Sequence, residues 1–285
     1  MSEEKKADYK SNFRETQDIV FKVYRFDPDV NTEPHFDTYT VPVVKGWTVL
    51  DAIIYIKENM DATLSYRASC RMGICGSCAM EINGKPRLAC QTQVIAELKS
   101  AEVTVKPLAN YPVLRDVVPD LTPLLQHHND VKPHIIRKDK EDQKNPKGEL
   151  YQTPGELEEY LQFSYCIKCG ACVAACPVVA TDENFLGPQA LTQAYRYCID
   201  TRDDGFDLRM DVVDDVHGAW RCHFAGACSD ACPKGVDPAF AIQLLKREIT
   251  ARKFGKKREP APIAKQPTNV KRREDVPYPP EKTVQ

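Results

Sequence analysis

The sequence has no apolar run approaching the ~20 residues that a membrane helix needs. Its longest apolar stretches, Val49 to Ile56 and Cys172 to Ala180, are short and broken by Asp51 and Pro177. It has almost no net charge: 39 basic residues stand against 41 acidic ones, which gives no electrostatic case for nucleic acid as a partner. Neither Gly-x-Gly-x-x-Gly nor Gly-x4-Gly-Lys occurs, so nucleotide or flavin chemistry is expected on another chain. The first residues, Met1 to Lys6, have no apolar segment behind their charges and carry no twin arginine. That reads as a cytoplasmic protein, or a mitochondrial matrix protein if a targeting segment has been removed.

What the sequence does have is twelve cysteines in separated groups. Disulfides would need an oxidising compartment, for which there is no signal. Grouped thiols in a reducing one point to metal. Cys70, Cys75, Cys78 and Cys90 follow C-x4-C-x2-C-x11-C, the plant-type spacing for a [2Fe–2S] cluster. Gly73 and Gly76 lie where that loop must curl and aim backbone N–H groups at sulfur. Structural zinc also accepts four thiolates, but its loops pair two short knuckles instead.

Cys166, Cys169, Cys172 and Cys176, followed by Pro177, form C-x2-C-x2-C-x3-C-P, the bacterial ferredoxin run. The fourth cysteine of such a run ligates the other cluster in two-cluster ferredoxins. A second run should therefore exist, and one extends from Cys222 through Cys228 to Cys232-Pro233. Aligned on the first, it puts Ala225 where the remaining thiolate belongs. The crossing rule gives Cys166, Cys169, Cys172 and Cys232 to a [4Fe–4S] cluster. It leaves Cys222, Cys228 and Cys176 for a site with three thiolates, which suits [3Fe–4S]. Cys198 is left over and reads as a small buried apolar residue.

Around these groups the pattern changes along the chain. Ile19, Phe21 and Val23, then Tyr39, Val41 and Val43, alternate as strands. Thr48 with Asp51 opens a helix carrying Val49, Ile53 and Ile56. Met80 to Leu88 reads as a hairpin on Asn83-Gly84, with a further strand at Glu102 to Lys106. After Pro107 the chain becomes a proline-punctuated connector with short helices, and Arg137 to Lys147 reads as a charged surface loop. Thr153-Pro154-Gly155-Glu156, Gly187-Pro188 and Asp237-Pro238 mark helix starts in a region without strand alternation. The expected class is α+β: a two-iron ferredoxin-type domain at residues 1–115, a helical domain at 116–252, and a basic, proline-rich tail at 253–285 that is expected to be poorly ordered.

Ser69-Cys70-Arg71-Met72-Gly73-Ile74-Cys75-Gly76-Ser77-Cys78 resembles the [2Fe–2S] loop of the iron–sulfur subunits of succinate dehydrogenase and fumarate reductase. Cys166 to Cys172, Cys228 to Asp237-Pro238, and the order of the three groups are similar to the same family. The resemblance implies a β-grasp plant-type ferredoxin domain followed by a bacterial-ferredoxin-like helical one. It implies a flavoprotein partner with covalent FAD where succinate and fumarate interconvert, and a membrane anchor, with or without haem b, that binds quinone beside the [3Fe–4S] end. It also places Pro177, Trp220, His223 and Lys246 at the quinone pocket. Ala180 and Thr181 stand where succinate–ubiquinone reductases carry tryptophans. Gly187-Pro188 and Val236-Asp237-Pro238 lean towards fumarate reductase-like relatives and menaquinone. A three-cluster wire for another acceptor, a stand-alone ferredoxin and a structural zinc protein are the competing readings.

Overall fold

The alternating segments pair as strands. In the computed structural model, which describes residues 16–30, 33–98, 102–145 and 148–255, β1 (Thr16–Arg25) lies antiparallel to β2 (His35–Val44). Phe21 opposes Tyr39, and Ile19 opposes Val41. The hairpin β3 (Ala79–Ile82) and β4 (Lys85–Leu88) turns on Asn83 and Gly84, both at the positive φ that a type I′ turn requires. β5 (Glu102–Lys106) runs parallel to β1 and antiparallel to β3, closing a sheet of order β2-β1-β5-β3-β4. The inward side chains of these strands share one apolar core with Val49, Leu50, Ile53 and Ile56 of the helix Val49–Asn59.

That helix starts where the capping pair predicts. Thr48 Oγ1 accepts from Asp51 N at 3.2 Å, and Thr48 N donates to Asp51 Oδ2 at 2.8 Å. Each bond satisfies a donor that would otherwise have no partner in the helix. Thr48→Ala is expected to destabilise the sheet unit by about 1 kcal/mol. The shift in urea midpoint measures it, and Thr48→Ser should hold most of the lost stability.

A short hairpin, β6 (Val113–Arg115) with β7 (Val118–Pro119), follows in the connector. Then come the helices Thr122–Asp130, Lys140–Lys144, Pro154–Glu158, Leu161–Ser164, Ala171–Ala174, Gly187–Ile199, Phe206–Val213, Ala227–Asp230 and Pro238–Lys253. Thr153 and Glu156 form the second capping box. Leu191, Ala194, Tyr195 and Cys198 of Gly187–Ile199 share a second core with Ile242, Leu245 and Ile249 of Pro238–Lys253. Cys198 is buried as expected, and burial pushes its thiol up to about 12.

The stretch expected as a surface loop at Arg137 to Lys147 differs in part. It holds the helical turn Lys140–Lys144, and Arg137 pairs with Asp204 at 3.2 Å. Close by, the fully buried Arg209 pairs with Asp203 and donates to the carbonyls of Val131, Lys132 and His134. One guanidinium thereby satisfies the backbone acceptors of the connector and fastens it to the helical unit.

The two cores meet along a polar seam. Asn110 Nδ2 donates to the carbonyls of Val173, Ala174 and Cys176 at 2.9, 3.2 and 3.1 Å, capping the end of Ala171–Ala174. The Tyr111 hydroxyl donates to Gly170 O at 3.2 Å, and Val173 itself packs into the first core. Among the described residues no helix is long and apolar enough to cross a membrane. The basic tail, including Lys256, Lys257, Arg258, Lys271, Arg272 and Arg273, lies outside the described residues.

Candidate metal centres

The first cysteine group lies on the loop leading into the β3–β4 hairpin and just beyond it. Cys78 precedes β3 and Cys90 follows β4, so Cys90 N donates to Cys78 Sγ at 3.5 Å. Both are buried, whereas Cys75 stands exposed at the rim. The N–H groups of Ile74 and Cys75 both point at Cys70 Sγ, each at 3.3 Å. A loop with N–H groups turned inward stabilises negative charge on sulfur. The Cys75 thiol is lowered to about 6, chiefly by the Ser77 hydroxyl, while burial pushes Cys78 up to about 12. Met72 and Ile74, large apolar side chains in the same loop, are exposed.

The two ferredoxin runs repeat one backbone. In the first, Lys168 has φ 55° and Gly170 φ 85° ahead of the helix Ala171–Ala174. In the second, Phe224 has φ 58° and Gly226 φ 78° ahead of Ala227–Asp230. The Ala174 N–H donates to Gly170 O at 3.0 Å, and Asp230 N–H donates to Gly226 O at 3.2 Å. Cys176 N and Cys232 N close the two turns on Val173 O and Ser229 O at 3.1 and 3.2 Å. The position flanked by the two left-handed residues is Cys169 in the first run and Ala225 in the second.

The runs exchange their last cysteines. Cys166, Cys169, Cys172 and Cys232 line one recess, together with Gln189 and Thr192. Cys176, Cys222 and Cys228 line another, together with Ala225, Pro177 and His223. The N-terminus of Gly187–Ile199 serves both, placing Gln189 at the first recess and Pro188 at the second. Its positive dipole end favours an anionic occupant. Burial first, and neighbouring thiolates second, raise Cys172 well above the ordinary thiol range. Burial likewise pushes Cys169 and Cys228 up to about 11 and raises Cys166 and Cys176. Such thiols keep their protons unless cations compensate them, and metal binding displaces those protons. Among the described residues no three His, Cys, Asp or Glu side chains converge on the position of a single ion. The thiols of the two ferredoxin runs stand around the walls of recesses instead. This donor set fits polynuclear iron–sulfur groups.

The four residues that the resemblance placed at a quinone pocket divide into two pairs. Pro177 and His223 are exposed on the wall of the second recess. Trp220 and Lys246 sit beside it, with the Lys246 ammonium 5.9 Å from the Trp220 ring and donating to Cys222 O at 2.9 Å. The Trp220 indole N–H is already engaged, donating to Asp214 Oδ1 at 2.6 Å. Three features are absent from the sequence reading. They are Gln189 in the first recess, the contact of Gly76 with Cys169, and the Lys234 ammonium, which donates to Gly73 O at 3.4 Å and joins the two-iron loop to the second run. None of these three roles leaves a local sign in the sequence.

Comparison with known proteins accords with this geometry. Residues 20–126 match the family described as 2Fe-2S iron-sulfur cluster binding domain, and residues 162–236 match the 4Fe-4S dicluster domain. The chain is 48% identical over 228 residues to the fumarate reductase iron-sulfur subunit of Mycobacterium tuberculosis, covering 80% of this chain and 91% of that one. It is 41% identical over 234 residues to the succinate dehydrogenase iron-sulfur subunit of Paracoccus denitrificans, covering 81% and 88%. Among solved structures it is similar to a chain of the Mycobacterium smegmatis Sdh1 complex, with a TM-score of 0.74 and 29% identity over 84% of this chain and 98% of that one.

Proposed function

The chain belongs to the family of iron–sulfur subunits of succinate dehydrogenase and fumarate reductase, and from that membership we propose how its cysteines are shared among three clusters. Cys70, Cys75, Cys78 and Cys90 hold [2Fe–2S]. Cys166, Cys169, Cys172 and Cys232 hold [4Fe–4S], and Cys176, Cys222 and Cys228 hold [3Fe–4S]. The observation that carries this assignment is the repeated backbone of the two runs, with crossed final cysteines and a methyl group at Ala225 opposite Cys169. Bound clusters supply one-electron redox chemistry, in keeping with an electron-transfer subunit of a succinate:quinone oxidoreductase. The chain's own work is to hold them close together. Gly76 against Cys169 brings the two-iron loop onto the first ferredoxin run.

The proposed domains are 1–115, a β-grasp unit, 116–252, a bacterial-ferredoxin-like one, and 253–285, although the apolar packing crosses the first boundary. The first apolar core reaches on to Leu124, and the second begins at Val131. The partner at the two-iron end is a flavoprotein with covalent FAD, where the dicarboxylate reacts. Exposed Met72 and Ile74 suit burial against it. The partner at the other end is a membrane anchor that shares a quinone site. The subunit is then peripheral, on the cytoplasmic face of the inner membrane or the matrix face of a mitochondrion.

At that second end, Pro177 shapes the wall and the exposed His223 imidazole is a donor to a quinone carbonyl. Lys246 and Trp220 stand behind it, each already engaged within the chain. In the assembled complex His223→Ala is expected to lower quinone-linked turnover at least tenfold, ~1.4 kcal/mol of transition-state stabilisation. Succinate oxidation by an artificial dye should be unchanged. An equal loss in both assays would remove His223 from the quinone site.

A further inference from the structure

The recess formed by Cys166, Cys169, Cys172 and Cys232 contains one uncharged polar side chain whose bonds are incomplete. Gln189, 1% exposed, has its Nε2 3.2 Å from His128 Nδ1 and 4.0 Å from Cys166 Sγ. Its Oε1 is buried with no hydrogen-bond partner. The other buried polar side chains of the same helix are satisfied within the protein: Thr192 donates to Pro188 O at 2.6 Å, and Gln193 donates to Phe163 O at 3.0 Å. A buried amide with an unmet acceptor is unfavourable, and a leucine would fill the volume without that penalty. Packing therefore does not account for a glutamine here.

The orientation of the amide follows from its neighbours. An amide nitrogen carries two hydrogens, and two groups lie in reach: the Cys166 sulfur, and the His128 ring nitrogen, which accepts when the ring is neutral with its proton on Nε2. Reversing the group would turn its carbonyl oxygen onto the sulfur lone pairs. His128, from the helix Thr122–Asp130, thus clamps a donor against a cysteine of the recess from outside the ferredoxin runs.

We propose that Gln189 is a positioning residue that donates a hydrogen bond to the Cys166 thiolate and thereby raises the reduction potential of the cluster in this recess, and of that cluster alone. The inference rests on the [4Fe–4S] assignment above. The reduced form carries one more negative charge than the oxidised form. A donor to a ligating sulfur stabilises it more and favours uptake of one electron. The amide keeps its hydrogens at every working pH, and burial favours the neutral His128 ring that the clamp needs.

The test is a redox titration of the assembled complex, followed by electron paramagnetic resonance. Gln189→Leu is expected to shift the oxidised-to-reduced ratio of the [4Fe–4S] centre about tenfold towards oxidised at fixed potential, a fall of about 59 mV for one electron. The [2Fe–2S] and [3Fe–4S] midpoints should stay in place. Gln189→Glu, which replaces the donor by an anion, should lower the same midpoint further. His128→Leu, at a half-buried site, keeps the amide but releases the clamp and should give a smaller fall. It decides the matter if Gln189→Leu fails to assemble. An unshifted midpoint with all signals intact, or an equal shift at all three centres, overturns the role of Gln189. If the unaltered complex has no [4Fe–4S] signal, the cluster assignment falls and this inference falls with it.

Discussion

Ala225→Cys is expected to convert the proposed three-iron centre into a four-iron one. The oxidised complex loses the three-iron resonance and gains a second four-iron signal on reduction. The expectation rests on backbone geometry. Cys169 and Ala225 each stand between a left-handed non-glycine residue and a left-handed glycine, with φ of 55° and 85° in one run and 58° and 78° in the other. The Cβ of residue 225 therefore leaves the chain in the direction that carries the Cys169 sulfur to its recess. Ala225 already lines the recess with Cys176, Cys222 and Cys228. A thiol there supplies the one donor that the methyl group withholds, and a cubane needs four. If the proposed quinone site adjoins this recess, quinone-linked turnover should fall at least tenfold, because the neighbouring cluster would change in charge and potential. Ala225→Ser, with a weaker oxygen donor, serves as a size control and should keep the three-iron signal. If Ala225→Cys kept it too under iron-reconstituting conditions, the alignment of the two runs would be wrong.

Gly76→Ala breaks the approach between the two-iron loop and the first ferredoxin run. Gly76 has φ +76°, and a Cβ there would lie 2.8 Å from Cys169 Cβ and 3.0 Å from Cys169 Cα. Neither atom moves without shifting a cluster cysteine. The left-handed backbone alone costs an L-residue about 1–2 kcal/mol. Forced overpacking adds about 1–3 kcal/mol. A total destabilisation of about 2–5 kcal/mol is expected, together with slower electron exchange between the [2Fe–2S] and [4Fe–4S] centres as the loops part. Gly84 is the natural control. It has the same φ of +76° in the β3–β4 turn, but a Cβ there meets nothing within 4 Å. Gly84→Ala should show the backbone cost alone. Urea unfolding of both variants separates the terms, and Gly76→Ala proving no worse than Gly84→Ala would remove the close approach from the account.

Much of this was legible in the chain because iron ligation needs cysteines at loop spacing, and loop spacing is local. C-x4-C-x2-C and the paired Cys-Pro runs carry their geometry in consecutive residues, so Ala225 stood out before any fold was known. The same holds for Thr48 with Asp51, where a cap and its partner lie three residues apart. Period-two alternation placed β1 and β2 because one face of each is buried. The hairpin β6–β7 escaped for the opposite reason: three residues paired with two are too few to show a period. Arg137 read as a surface charge because its partner, Asp204, is distant in sequence. Gly76 against Cys169 and Gln189 with His128 are likewise long-range contacts, set by how the two cores dock. A single glycine or glutamine gives no local sign of such a role. The residues proposed at a quinone pocket came from resemblance alone. The bond from Trp220 to Asp214 shows how much of that corner depends on neighbours the motif does not contain.

The most direct measurement is electron paramagnetic resonance on the purified protein, air-oxidised and then reduced with dithionite. The account predicts a three-iron signal in the oxidised sample, with two-iron and four-iron signals appearing on reduction. A silent, iron-free protein that holds zinc on these cysteines would contradict it.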